Sequence, residues 1–199
     1  MTKGKVSGVV SNMVTLRVDG PVLQGEICYI TTGGDRLMAE VIKVVGSDVY
    51  VQIFESTRGL KVGSEAEFTG HQLEIQLGPG MLSKNYDGLQ NDLDKMDGVF
   101  LRRGQYTDPL DNDRLWDFEP IVKAGDRVEG SAWLGKVEEN HQPLKIMAPF
   151  TLKGTAVVKS IVPAGKYKVH DTIAVLTTEA GEDINVTMVQ RWPVKFAMT

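Results

Sequence analysis

The sequence predicts a mainly β protein, and three observations support this prediction. Short segments rich in Val and Ile follow one another closely through residues 5–70, with no helical pattern between them. Turn residues separate these segments, as at Asp19-Gly20-Pro21 and Gly33-Gly34. A second region of similar segments, residues 111–187, contains an internal near-repeat. We therefore expect two β regions connected by a short α/β linker segment.

Residues 1–70 form the first predicted β region. Gly33-Gly34 is typical of a two-residue hairpin turn. Closely spaced strands without helices favour a closed barrel, since closure removes unpaired strand edges. Cys28, the only cysteine, lies among apolar strand residues, which predicts a buried and unreactive thiol. The predicted strands are Lys5–Val10, Met13–Val18, Glu26–Ile30, Arg36–Val45 and Asp48–Phe54.

The linker, residues 71–110, begins with a predicted strand. Leu73, Ile75 and Leu77 alternate with polar residues, so one face of this strand should be buried. Gly78-Pro79-Gly80 ends it, and we interpret this tripeptide as a backbone hinge, because Gly permits positive φ and Pro restricts the chain direction. It does not predict a phosphate-binding nest, since Pro79 has no N–H to donate and no helix start follows at the required spacing.

A short helix is predicted after this break. Tyr86, Leu89, Leu93 and Met96 are three or four residues apart, which places them on one helical face. The acidic run of residues 91–97 would then form the solvent-exposed face, with Leu93 and Met96 directed inward. The run lacks the central Gly and the terminal Glu of a calcium-binding loop, so we do not predict a cation site there.

The second β region, residues 111–187, contains two related halves. The segment Val122–Val128 recurs as Val162–Val169, and each copy contains a Gly turn and leads to an apolar strand, Trp133–Val137 or Ile173–Leu176. This arrangement predicts a β-sandwich with approximate twofold symmetry. Residues 185–194 are predicted to form one strand that returns toward the core.

Five motifs, in chain order, resemble the catalytic A subunit of the V-type and archaeal-type rotary ATPases. The most specific is Leu77-Gly78-Pro79-Gly80-Met81-Leu82, followed by Tyr86-Asp87-Gly88-Leu89-Gln90; in that family it links the N-terminal barrel to the nucleotide-binding core. Trp116–Pro120 and Gln190–Val194 are similar to the segments that open and close an insertion peculiar to the A subunit. The remaining two are Gly4–Val10 and Tyr50–Gly63.

The resemblance implies an organisation and a set of partners. Residues 1–70 would be a six-stranded barrel, 71–110 the incomplete start of the nucleotide-binding core, 111–187 the inserted β domain and 188–199 a strand returning toward the core. The full-length subunit would alternate with B subunits in a hexamer of three A and three B chains, and the inserted domain would contact the peripheral stalk. That assembly couples ATP hydrolysis or synthesis to H⁺ or Na⁺ transport, and its soluble sector lies in the cytoplasm, peripheral to the membrane.

No catalytic, cofactor-binding or metal-binding residue is predicted in these 199 residues. Nucleotide binding in this family needs the phosphate loop G-x-x-x-x-G-K-S/T. The sequence has three Gly-Lys pairs, none followed by Ser or Thr: Gly4-Lys5, Gly135-Lys136 and Gly165-Lys166. We therefore expect an N-terminal piece of a longer subunit that is inactive alone, whereas the full-length parent would bind Mg-ATP or Mg-ADP.

Composition excludes other classes of function. A net charge of −4 and a pI near 5.4 do not provide the basic surface of a nucleic-acid-binding protein. The sequence has no run of 18 apolar residues, so no segment is predicted to insert into a membrane. The three histidines stand far apart with no carboxylate or cysteine at ligand spacing, which does not predict a metal site: His71, His141 and His170.

A free-standing β interaction module, or a biotinyl or lipoyl carrier domain, is the alternative function. Carrier domains are also sandwiches of two similar halves, and they present a modified lysine at a hairpin tip. Lys145 is the candidate lysine here, although the Met that precedes the carrier lysine is absent. Four large aromatic residues are predicted to be core or interface anchors: Trp116, Phe118, Trp133 and Trp192. We expect Trp116 and Phe118 to lie where the insertion meets the core.

Overall fold

The computed structural model describes residues 2–96 and 103–195. The predicted linker (71–110) and the predicted return segment (188–199) therefore lie partly outside the described residues. The described chain forms two compact units. Unit 1 contains residues 2–75, 96, 103–106 and 193–195, and unit 2 contains residues 76–95 and 107–192. Across the described ranges, no helix has both the length and the apolar character needed to cross a membrane.

Unit 1 contains a closed six-stranded antiparallel barrel, as predicted. Its strands follow the spatial order β1-β2-β5-β4-β3-β6, and β6 pairs with both β1 and β3 to close the sheet. The sixth strand was implied by the family resemblance, but the Val and Ile pattern did not identify it. The strands are β1 (Lys3–Val10), β2 (Met13–Val18), β3 (Glu26–Thr32), β4 (Asp35–Val45), β5 (Asp48–Ile53) and β6 (Glu65–Gln72).

Alternating side chains of these strands fill the interior of the barrel. Val14, Leu16 and Val18 of β2 are buried, whereas Arg17 between them is exposed, because successive residues of a strand point to opposite faces. Cys28 is completely buried, which confirms the prediction for its thiol. Burial, with a smaller contribution from the nearby Glu26 carboxylate, raises the pKa of Cys28 to about 12.

Backbone irregularities shape the barrel at its turns and bends. Gly33 and Gly34 have φ values of 59° and 94°, as a two-residue hairpin of the predicted kind requires. The pairing register shifts within β1, between Val6 and Gly8, and within β4, between Val41 and Lys43. Such bulges increase strand bending and twist, which helps a six-stranded sheet to close.

Unit 2 contains two four-stranded sheets, with spatial orders β11-β10-β8-β13 and β15-β14-β12-β9. Leu134 of the first sheet packs with Val158 and Leu176 of the second, so the sheets share a core. The strands are β8 (Trp116–Pro120), β9 (Arg127–Glu129), β10 (Trp133–Glu139), β11 (Gln142–Met147), β12 (Thr155–Ile161), β13 (Gly165–Tyr167), β14 (Ala174–Thr178) and β15 (Asp183–Val186).

The strand pairing confirms the predicted twofold relation between the halves. Strands β8, β10 and β11 of the first half form one sheet, and their counterparts β12, β14 and β15 form the other. The short second strand of each half crosses to the opposite sheet: β9 pairs with β12, and β13 pairs with β8. The near-repeat marks these crossings, because each copy lies where the chain enters β9 or β13. The predicted Gly turn is present at Gly125, with a φ of 93°, but Gly165 is instead the first residue of β13.

The predicted single strand over residues 185–194 is wrong. The chain forms two strands there: β15, which pairs with β14, and β16 (Gln190–Pro193), which pairs with β7 (Glu74–Leu77) in a separate two-stranded sheet. Between them, the Thr187 hydroxyl bonds both the N–H and the carbonyl of Val189, at 3.2 and 3.3 Å. A local Ser or Thr hydrogen bond of this kind competes with the sheet ladder and allows the chain to turn.

Strand β7 exists as predicted, but it does not have one buried and one exposed face. All four of its residues are partly buried. Alternation in sequence therefore identified the strand correctly but not its environment.

We predict that Gly135→Ala destabilises the sandwich. A Cβ at Gly135 would lie 2.2 Å from Cε2 of Phe118 and 2.8 Å from the Glu119 carbonyl oxygen. Because the surrounding core is closely packed, the free energy of unfolding should fall by about 1–3 kcal/mol. Thermal or urea denaturation measures the change. The matched control is Gly88→Ala, whose Cβ would meet no atom within 4 Å, and equal stability of the two variants would contradict the packing argument.

Candidate functional site

The three Gly-Lys pairs all lie within strands. Gly4-Lys5 is in β1, Gly135-Lys136 in β10 and Gly165-Lys166 in β13. A phosphate loop needs successive backbone N–H groups that converge on one point, whereas extended strand backbone directs its N–H groups alternately to the two sides. None of the three pairs therefore forms such a loop.

The histidines lie apart and contact neighbouring polar groups. His71 Nδ1 is 3.0 Å from the Gln72 carbonyl oxygen, His141 Nδ1 is 3.4 Å from Glu138 Oε1, and His170 Nε2 is 3.1 Å from Asn112 Oδ1. Within residues 2–96 and 103–195, no group of three or more His, Cys, Asp or Glu side chains is arranged to hold a metal ion.

Lys145 does not occupy the position of a carrier lysine. It lies within strand β11, opposite Lys136, and its Nζ is 4.5 Å from the centre of the Trp133 ring. The tip of this hairpin consists of Asn140 and His141, and the β14–β15 turn, residues 179–182, also has no lysine.

The aromatic residues divide between core and surface. Trp116 and Phe118 are buried in a core cluster of unit 2, and Trp192 packs edge-on against Phe150 with ring centres 5.5 Å apart. Trp133 is 55% exposed, so it does not anchor a core, and its other predicted role, as an interface anchor, stays a prediction. Its neighbour Leu134 takes the inward position, because adjacent strand residues face opposite ways.

The predicted hinge is held by a carboxylate that the sequence did not identify. We call residues 78–83 the joint loop. Glu139 Oε1 accepts hydrogen bonds from the N–H groups of Gly80 and Leu82, both at 2.9 Å, and Glu139 is only 3% exposed. Gly80 has the positive φ that the prediction anticipated, at 104°. Backbone N–H groups do converge on an anion here, but that anion is the protein's own side chain.

Gly78 is required for a different reason. Its φ is not positive, but a Cβ there would lie 3.2 Å from both Cδ1 of Leu110 and the Met188 carbonyl oxygen. The first Gly of the motif therefore permits close packing, and the second permits the turn.

The helix predicted over Tyr86–Met96 is wrong; only Leu93–Lys95 forms a single 3₁₀ turn. Asp87 Oδ1 accepts hydrogen bonds from the N–H groups of Leu89, at 2.9 Å, and Asn91, at 2.8 Å. Gln90 has a φ of 62°, which no α-helix allows. The Asp87 carboxylate thus accepts hydrogen bonds from N–H groups that a helix would have paired with backbone carbonyls. Short polar side chains commonly compete with helical structure in this way.

The expected orientation of the acidic run is wrong at three of its residues, whereas Asp94 is exposed as expected and residue 97 lies outside the described residues. Asn91 and Asp92 are buried, whereas Leu93 is 39% exposed. Asn91 Oδ1 accepts the N–H of Thr107 at 2.9 Å. Burial of the Asp92 carboxylate is compensated by positive charge, with Nζ of Lys84 3.2 Å and Nζ of Lys95 3.7 Å from Oδ2.

The Gln90 side chain forms hydrogen bonds with both backbone groups of one residue of strand β7. Its Oε1 accepts the N–H of Gln76, and its Nε2 donates to the Gln76 carbonyl oxygen, both at 2.7 Å. These are the two hydrogen bonds that a neighbouring strand would make. The Gln at the end of the motif therefore replaces a strand at this position.

Two carboxylates of unit 1 have the same role. Glu26 accepts the N–H groups of Leu23 and Gly70, at 3.0 and 2.7 Å. Glu55 accepts the N–H of Gly104, at 2.9 Å, and the hydroxyl of Tyr106, at 3.0 Å. Burial, reinforced by the charge of Glu55, raises the pKa of the Tyr106 hydroxyl. Glu55 in unit 1, and Asp87 and Gln90 in unit 2, are therefore motif residues whose side chains hold backbone groups.

We predict that Gln90→Ala lowers the free energy of unfolding by about 1–3 kcal/mol, because the Gln76 N–H and carbonyl lose their partners in a partly buried position. Urea denaturation measures the loss. Gln142→Ala, at an exposed position of β11, is the control and should change stability by less than about 0.5 kcal/mol. Equal effects of the two substitutions would show that the Gln90 bonds do not stabilise the fold.

Both β regions match known protein-family models. Residues 6–70 match the β-barrel domain of the ATP synthase alpha/beta family, and residues 107–195 match the alpha/beta subunit barrel-sandwich domain of ATP synthases. The two matches follow each other in the chain, and they coincide with the closed barrel and the paired sheets.

Curated relatives support the same family. The chain is 44% identical to the V-type ATP synthase alpha chain of Treponema denticola over 200 residues, which are 99% of this chain and 34% of the relative. The alpha chains of Borreliella afzelii and Borrelia turicatae are 43% and 44% identical, over 100% and 99% of this chain and 35% of each relative. The chain spans about a third of the length of these relatives. It belongs to the ATP synthase alpha/beta family and corresponds to the N-terminal part of the V-type alpha chain.

Proposed function

We propose that this chain is the assembly part of the catalytic A subunit of a V/A-type rotary ATPase. The observation that carries the proposal is the ordered match of a β-barrel domain and a barrel-sandwich domain to one family, within an alignment that covers the whole chain. The polar motif residues hold backbone segments in place, which suits a structural role.

The barrel would contact B subunits in an alternating hexamer of three A and three B chains. Three large apolar side chains of unit 1 are strongly exposed, at 75%, 70% and 67%: Val10, Leu23 and Val62. Apolar surface that a chain leaves in water is favourably buried against another protein. A closed barrel also offers no free strand edge, so contacts through side chains are the available means of association.

The sandwich would contact the peripheral stalk. Its eight strands bury two apolar core clusters, and each cluster contains residues from both halves. Trp133 and Ile121 are large apolar side chains that its core does not use, being 55% and 49% exposed. Trp is enriched among the residues that dominate binding energy at protein interfaces.

The full-length subunit would couple ATP hydrolysis or synthesis to H⁺ or Na⁺ movement, peripheral to the membrane in the soluble sector. Phosphoryl transfer in the full-length subunit would depend on a phosphate loop and Mg²⁺, and these 199 residues contain no phosphate-loop motif. The residues described above would support that chemistry by holding the hexamer together.

We predict that this 199-residue chain does not bind Mg-ATP or Mg-ADP. Isothermal titration calorimetry should give no binding heat, because the Gly-Lys pairs lie in strands. The full-length subunit provides the positive control. A micromolar affinity of the short chain for either nucleotide would contradict the proposal that these residues serve assembly and not nucleotide binding.

A further prediction concerns assembly of the full-length subunit with B subunits. Leu23→Asp places a charge on exposed barrel surface and should reduce the hexamer fraction at least tenfold in native mass spectrometry, with the melting temperature of the isolated chain unchanged. Leu115→Asp is the matched control, since Leu115 is also an exposed loop leucine but lies in unit 2. Equal hexamer fractions for the two variants would contradict a barrel interface.

A further inference from the structure

The chain contains three Asp-Gly pairs, a dipeptide that can rearrange without an enzyme. The Gly nitrogen can attack the side-chain carboxyl carbon of the preceding Asp, because Gly has no Cβ to obstruct the approach. The pairs are Asp19-Gly20, Asp87-Gly88 and Asp97-Gly98, and the last of them lies outside the described residues. The structure gives the two described pairs different environments.

Hydrogen bonds hold both oxygens of the Asp87 carboxylate. Oδ1 accepts the N–H groups of Leu89 and Asn91, at 2.9 and 2.8 Å, and Oδ2 accepts a hydrogen bond from Asn91 Nδ2, at 2.8 Å. Attack on the carboxyl carbon expels one of these oxygens as water, so the hydrogen bonds to that oxygen must first break. Because hydrogen bonds to a charged acceptor are stronger than those to a neutral one, their loss raises the barrier to ring closure at Asp87.

The Asp19 carboxylate has no such restraint. Asp19 comes directly after strand β2, and both Asp19 and Gly20 are exposed to solvent. Within residues 2–96 and 103–195, the Asp19 carboxylate forms no hydrogen bond or ion pair, and the Gly20 N–H donates to no backbone carbonyl. The attacking nitrogen and the carboxyl group that it would attack are therefore both available.

We propose that Asp19 is a site of spontaneous isomerisation and that the fold protects Asp87 from the same reaction. The Gly20 nitrogen bonds to the carboxyl carbon of protonated Asp19, and the carboxyl OH leaves with the amide hydrogen as water, which gives a five-membered imide. Water then adds to either imide carbonyl and breaks its bond to nitrogen. One product is the original Asp, and the other is isoaspartate, in which the main chain runs through the side-chain carboxyl carbon.

Isoaspartate at this position would add one carbon to the main chain between strand β2 and Gly20. The next residue, Pro21, contacts the start of the chain, since its carbonyl oxygen accepts the Thr2 hydroxyl at 2.9 Å. The same connection carries the exposed Leu23. The modification is a property of the chain itself and does not depend on the proposed assembly role.

Incubation of the 199-residue chain at neutral pH, followed by proteolysis, tests the proposal. Isoaspartate in each peptide is measured by methylation with a protein isoaspartate methyltransferase and by chromatographic separation from the Asp form. It should accumulate at residue 19 at least ten times faster than at residue 87. Equal rates at the two residues of the folded chain would overturn the proposal.

The same measurement in denaturant separates the effect of the fold from that of local sequence. Unfolding removes the hydrogen bonds of Asp87, so the two pairs should there react at rates within about threefold of each other. A tenfold preference for residue 19 that persisted in denaturant would show that the fold does not protect Asp87, and it would also overturn the proposal.

A variant tests the protecting bonds within the folded chain. Asn91→Ala removes the hydrogen bond to Asp87 Oδ2 and should speed isomerisation at residue 87 at least threefold, with the rate at residue 19 unchanged. Asn85→Ala is the matched control, since Asn85 is an exposed Asn of the same segment, and it should change neither rate. An unchanged rate at residue 87 in folded Asn91→Ala would count against protection, and the comparison in denaturant decides the question if this variant does not fold.

Discussion

The structure depends on the need of every loop amide for a hydrogen-bond acceptor. Strands satisfy their backbone groups in ladders, whereas the long connections of the described chain satisfy only some of theirs with other backbone groups. Carboxylates provide further acceptors here. Glu26, Asp87 and Glu139 each accept two backbone N–H groups, and Glu55 accepts one together with a tyrosine hydroxyl. Because a charged acceptor forms stronger hydrogen bonds than a neutral one, a few acidic residues fix loops that contain little regular structure.

This constraint explains the character of the motif that resembles the rotary ATPases. Its residues look like a turn and a helix, yet they build a polar network in which Asp87 shapes the turn, Gln90 completes a strand and Asp92 is neutralised by two lysines. A network of satisfied buried polar groups specifies one conformation, since any shift leaves a buried group unpaired. Such rigidity suits the proposed assembly role of this segment of unit 2.

Local patterns predicted much of the β structure and failed at the linker. Strand positions in the barrel, the Gly33-Gly34 hairpin and the symmetry of the sandwich follow from alternation, turn residues and a near-repeat, which act over a few residues. The helix over Tyr86–Met96 had the correct apolar spacing, but the Asp87 side chain competed successfully for the amides. Spacing also placed Leu93 inside and Asp92 outside, whereas the two lysines made burial of Asp92 favourable.

The sequence by itself determined the fold class, the family and the absence of a phosphate loop from these residues, because ordered motifs and periodic patterns are local properties. Only the tertiary structure decided that Glu139 would hold Gly80 and Leu82, that β9 and β13 would exchange sheets, and that Trp133 would face solvent while Leu134 packs inward. Each of these depends on groups far apart in the chain, and their pairing arises because burial removes water and makes a partner within the protein favourable for a polar group.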